Sequence, residues 1–99
     1  MFILTLTYTA PIDRIDALLP AHRDWLAEHY ASGRFLASGR QVPRTGGVIV
    51  AHGGSRTEIE RLVATDPLAE AGVCAYGIVE FLATSTAPAL ARYRQDPVS

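Results

Sequence analysis

Two ionisable residues interrupt stretches that are otherwise apolar. His22 falls within a stripe made by Ile12, Ile15, Leu18, Leu19, Trp25, Leu26 and Tyr30, which recur at helical spacing. Asp66, in the run VATDPLAEAG, closes what reads as a short apolar helix, where a basic residue or glycine is the usual ending. If that helix reaches it, Asp66 projects between Leu62 and Val63, on the side that faces the core. A carboxylate there is costly unless something pairs with it, and His22 is the best partner. An imidazole oriented by a carboxylate is a general acid–base pair, whose positioned proton transfer is typically worth ~10²–10⁴ in rate. Taken singly, the histidine reads as a core or boundary residue and the aspartate as a helix-ending turn residue. Together, aimed the same way, they read as a site.

Other constellations carry less. His29 lies two turns beyond His22, and a rise of ~1.5 Å per residue puts the two about 10 Å apart, too far to share one metal. No HExxH or CxxC spacing occurs, so neither a metal nor a cofactor is expected. The paired glycines at 46–47 and 53–54 read as turns. In ASGR, at 37–40, a serine and a glycine within an apolar strand let a ligand approach the backbone, with a bulge as the plainer explanation. No GxSxG elbow surrounds Ser38, so it is not read as a nucleophile.

The elements that must position these residues follow from periodicity. Residues 2–9 alternate, with Phe2, Leu4, Leu6 and Tyr8 on one side and Ile3, Thr5, Thr7 and Thr9 on the other, which is a strand. An amphipathic helix runs from Ile12 to about Ser32. Pro20 should kink it, break it or restart it, and Gly33 is a plausible stop. RFLASGRQV and GGVIVAH read as two strands joined through PRTG. Ser55 with Glu58 fits a capping box for the second helix, and GVCAYGIVEFL is the last strand. The segment after Thr84 reads equally as a helical turn or a loose tail.

Strand, helix, strand, strand, helix, strand is the split pattern of a ferredoxin-like α+β fold, with both helices on one face of an antiparallel sheet. Val48, Ile49 and Val50 run consecutively, and the last strand offers Val79 and Phe81 away from Tyr76 and Ile78. The uncovered sheet face is therefore apolar, which predicts association through it, most simply as a homodimer.

Composition sets the remaining bounds. The 99 residues are 48% hydrophobic and 19% charged, a folding composition of single-domain size. Net charge is −1 and the nine basic residues are all arginines, spread without a run, which argues against nucleic acid as a partner. No stretch approaches the ~20 apolar residues of a membrane span. The opening MFILTLTYTA lacks a basic region and a cleavage site, so it reads as a strand rather than a secretory leader. The lone Cys74, inside an apolar run, reads as a small core residue, and a cytoplasmic location is expected.

The segments PAHRDWL around His22, SGRFLASGR leading to Ser38 and Gly39, GGVIVA, and DPLAEAGVCAYGIVEF together resemble the YciI-like, or YCII-related, domain. The likeness runs from about residue 1 to residue 82, leaving about 83–99 as a tail of the single domain. It implies a dimeric ferredoxin-like α+β barrel whose pocket centres on a histidine and an aspartate, matching His22 and Asp66, with Ser38 and Gly39 on a pocket-lining strand. Where that family commonly has proline after Ser-Gly, this chain has Arg40, which alters the pocket mouth or binds an anion. Chemistry assigned within the family resembles lyase-type removal of halide from a hydroxylated aromatic ring. The resemblance fixes a site better than a substrate. The expectation is a small cofactor-free enzyme of lyase or isomerase type, with His22 and Asp66 catalytic and Tyr8, Trp25, Ser38, Gly39, Arg40 and Pro67 binding a small cyclic or aromatic ligand. The alternatives are a non-catalytic dimeric module that uses the same pocket, and an oxygenase-like member of the wider barrel group.

Overall fold

A computed structural model describes residues 1–96. Strands β1 (Phe2–Tyr8), β2 (Phe35–Arg40), β3 (Gly46–Ala51) and β4 (Cys74–Glu80) form one sheet in the order β2-β3-β1-β4. Every neighbouring pair is antiparallel. This is the expected ferredoxin-like arrangement, with the first and third strands central. Helix α1 (Ile12–Ala31) makes the first crossover; α2 (Arg56–Val63) and α3 (Pro67–Glu70) make the second.

The alternation of β1 decides which face is covered. Phe2, Leu4 and Leu6 are buried, together with their register partners Ala51 and Ile49, whereas Thr7 is exposed and Ile3 and Thr5 are half-buried. Ile15 and Trp25 of α1, Ile59 and Val63 of α2, and Leu68 of α3 close over the covered face. On the opposite face and just beyond β4, Val79, Phe81 and Leu82 stay exposed.

Helix α1 passes through Pro20 without interruption, contrary to a break or restart there. The proline removes one donor, the partner of the Asp16 carbonyl, and both residues are exposed, where solvent can satisfy that oxygen. The helix ends as expected at Gly33. Gly33 N–H donates to the Tyr30 carbonyl and Arg34 N–H to that of His29, a termination that needs the positive φ of 80° Gly33 supplies.

The second helix is shorter than the apolar pattern suggested. Ser55 caps it, its hydroxyl accepting from Glu58 N–H at 3.2 Å, but α2 stops at Val63. Pro67 is the reason: its ring excludes the helical conformation at the preceding residue, and Asp66 is extended, with ψ of 128°. A separate short helix then begins at Pro67. Beyond β4, a 3-10 turn at Pro88–Tyr93 leads back to the amino terminus, where the Gln95 side-chain oxygen accepts from Met1 N at 2.8 Å and Ala83 N at 3.0 Å. The expected tail is thus a strap over the start of β1, apart from residues 97–99, which lie outside the described part.

Candidate active site

Asp66 points inward because it is the N-cap of α3, not because α2 reaches it. Its Oδ1 accepts from Leu68 N–H at 3.0 Å, the usual capping bond, and the side chain is fully buried. The same Oδ1 lies 2.8 Å from His22 Nδ1, and Oδ2 accepts from the Tyr76 hydroxyl at 2.5 Å. A carboxylate with three donors around it is a satisfied buried charge. Burial, and then the bond to Asp66, push the Tyr76 phenol far above its ordinary range, so it remains a donor.

Helix α1 carries two adjacent columns of side chains. Ile15, Leu18, His22, Trp25 and His29 follow one, and Asp16, Leu19, Arg23, Leu26 and Tyr30 follow the next. The second column faces β2 and β3 across a cavity of about 450 Å³. Space exists there because the strand positions that face α1 are small: Ser38 on β2 and Gly47 on β3. His22 stands between the columns, with Nδ1 turned to Asp66 and a second edge in the cavity wall. With Nδ1 donating to the carboxylate, Nε2 is the nitrogen left for the cavity, with its lone pair free in the neutral ring.

Of the residues expected to bind a ligand, Tyr8, Ser38, Gly39 and Arg40 line this cavity. Trp25 does not. It is buried in the core, its indole N–H donates to the Thr65 hydroxyl at 2.9 Å, and its ring stacks on His22 at 5.8 Å between centroids, so it backs the imidazole rather than facing the cavity. Pro67 is also absent from the wall and acts instead on the backbone of Asp66. Ser38 is tied through its hydroxyl to that of Tyr30.

Several residues at the site went unread in the sequence. Asp16, Arg23 and Arg44 line the cavity, and Arg44, from the β2–β3 connection, reaches across to Asp16 Oδ1 at 2.5 Å. The Arg44 guanidinium carbon also sits 5.8 Å from the Tyr8 ring centre. Helical spacing from Leu19 and Leu26, whose column they share, could have exposed Asp16 and Arg23; nothing in the sequence marked Arg44. His29 packs at 5.0 Å from both Trp25 and Phe35, and burial lowers its pKa. Cys74 is half-buried and packs against the core cluster of Leu6, Ile15, Leu68 and Val73, and burial, followed by the Asp66 charge, pushes its thiol up to about 11.

Among the described residues no cluster of three or more His, Cys, Asp or Glu side chains could hold a metal ion, and no helix is long and apolar enough to cross a membrane.

The family profile described as "YCII-related domain" matches residues 1–82. No curated protein matches the sequence. Among solved structures, the chain is similar to 5-chloro-2-hydroxyhydroquinone dehydrochlorinase from Burkholderia phenoliruptrix AC1100, in complex with 2,5-dihydroxybenzoquinone. The TM-score is 0.65 at 22% identity, covering 82% of this chain and 93% of that one. The likeness at that identity is one of fold.

Proposed function

As the chain belongs to the YCII-related domain family, we propose that it is a small enzyme of lyase or isomerase type that acts on a cyclic or aromatic substrate, with His22 and Asp66 as its acid–base pair. The observation that carries the reading is the division of the imidazole between a buried carboxylate at Nδ1 and a cavity on its other edge. Nε2 takes a proton from an acidic O–H or C–H of the bound ring. Asp66 stabilises the resulting imidazolium and holds the ring in orientation. Return of that proton at a different atom is an isomerisation; departure of a neighbouring group with its bonding pair is an elimination. The similar solved chain is named for removal of chloride from a hydroxylated ring and binds a dihydroxybenzoquinone, which supports a ligand of that general shape.

Tyr8, Ser38, Gly39 and Arg40 are proposed to contact the ligand. Trp25 and Pro67, first expected there, act in this reading by positioning His22 and Asp66. We also propose a homodimer through the open sheet face, since Val79, Phe81 and Leu82 are 57%, 40% and 54% exposed in the single chain. Light scattering should then give about twice the 10.7 kDa chain mass; a monomer at every concentration rejects the dimer. The functional reading is tested by NMR titration with 2,5-dihydroxybenzoquinone, followed by product analysis on a panel of halogenated and halogen-free hydroxylated rings. Shifts should centre on His22 and the cavity wall, and turnover should vanish in His22→Gln. Binding without turnover of any ring would leave a binding module, and shifts confined to other surfaces would reject the site.

A further inference from the structure

Charge at the cavity mouth identifies the substrate more narrowly. Three arginines, Arg23, Arg40 and Arg44, line the cavity, against one carboxylate, Asp16. Asp16 is already engaged by Arg44. Among the described residues Arg23 and Arg40 form no ion pair, and both are exposed. Even with the buried Asp66 behind His22 counted, and the imidazole neutral, the walls hold an excess of positive charge, in a chain whose net charge is −1. Arg23 comes from α1 and Arg40 from β2, so exposed guanidinium groups meet the cavity from two of its sides. Guanidinium groups on two sides of a concave site suit a planar anionic group entering between them.

We infer that the substrate is an anion, a ring bearing a carboxylate or an equivalently charged oxyanion group, held at that group by Arg23 and Arg40 while the reacting position faces His22. The inference rests on the proposed function and deepens it. The dimensions allow it: about 450 Å³ lies within the usual range of small-ligand pockets and admits a substituted ring with room to spare. The Arg44–Asp16 pair then has a defined part. Asp16 neutralises Arg44 and so limits the pull on the anion, and its removal frees a third cation at the mouth.

The test compares 2,5-dihydroxybenzoate with its neutral amide, 2,5-dihydroxybenzamide, by NMR titration of the labelled protein, since the two share a ring and differ in charge. The benzoate should bind about tenfold or more tightly, as expected for loss of a charge-assisted hydrogen bond. That advantage should disappear in the Arg23→Gln, Arg40→Gln double variant and shrink with added sodium chloride, while the amide stays unaffected by either. Asp16→Asn should tighten the benzoate several-fold and leave the amide unchanged. Equal affinity for both ligands at His22, insensitive to the arginines, would overturn the anionic substrate and leave the acid–base site standing. No response at His22 to either ligand would overturn both together.

Discussion

His22 Nδ1 and Asp66 Oδ1 lie 2.8 Å apart although 44 residues separate them in the chain, and neither side chain is placed there by the other alone. The histidine is carried in by the apolar column of α1, in register with Ile15, Leu18 and Trp25. The aspartate is carried in by a capping requirement, because Pro67 starts a new helix and the first free amide of that helix, at Leu68, needs an oxygen. The carboxylate is therefore shared between a capping bond and the bond to His22 through the same oxygen.

That sharing predicts how Asp66 variants behave. Asp66→Ala leaves Leu68 N–H, the Tyr76 hydroxyl and the His22 ring without their acceptor, and should destabilise the fold by about 2–4 kcal/mol. Asp66→Asn can place its amide oxygen toward Leu68 and its amino group toward Tyr76, so its loss should be about 1 kcal/mol. Urea unfolding of the three proteins measures both. Equal losses for the two variants would mean that charge, not capping geometry, sets the cost.

The same geometry separates orientation from charge in the proposed reaction. In Asp66→Asn the introduced oxygen still accepts from Nδ1, so the neutral ring should keep its proton on Nδ1, read from the nitrogen shifts of His22. Turnover should nonetheless fall about 10- to 100-fold, because the developing imidazolium loses its counter-charge. A variant with the parent's tautomer and the parent's rate would reduce Asp66 to a positioning residue.

His22 was legible in the sequence because it breaks an apolar column at helical period, and the strand order was legible from alternation. Asp66 was legible as an anomaly but for the wrong reason: the apolar pattern carried α2 onward, while the steric rule written in Asp-Pro ends it at Val63. Trp25 was misplaced into the cavity because periodicity gives the stripe and not which of two neighbouring columns faces an open space. Arg44 and Tyr76 could not be read at all as site residues. Their positions depend on how a strand connection folds over α1 and how α3 leans on β4, which no local pattern states.

The glycines of β3 supply a stability prediction. A Cβ at Gly46 would fall 1.7 Å from the Leu6 carbonyl oxygen, a backbone atom that cannot give way without disturbing the β1–β3 pairing. A Cβ at Gly39 meets nothing within 4 Å. Gly46→Ala should therefore lower stability by about 2 kcal/mol or more, and Gly39→Ala by less than about 0.5 kcal/mol, the range for open surface sites. Thermal melts of the two variants decide it, and a tolerated Gly46→Ala would contradict the close packing of β1 on β3.

Alkaline pH should weaken the fold, and Cys74 makes the effect traceable. In the folded chain its thiol is pushed up from 9.0 to about 11, burial being the larger cause and Asp66 the smaller. As pH rises through 9 the unfolded chain releases that proton first, so between about 9 and 11 the unfolded state binds fewer protons than the folded one, and stability falls with pH. Tyr76, raised in the same direction from 10.0 by burial and then by its bond to Asp66, adds to the loss at the upper end of that range. Urea midpoints measured from pH 8 to 10.5 should therefore decline, and more gently in Cys74→Ala, which removes one of the two groups. Thiol chemistry provides an independent reading on the native protein. Alkylation of Cys74 by iodoacetamide should be slow at pH 8 and rise about tenfold per pH unit up to about 11, following the thiolate fraction. Labelling that levels off near pH 9, the ordinary thiol value, would show that neither burial nor the Asp66 charge acts on Cys74, and would place the carboxylate's field elsewhere.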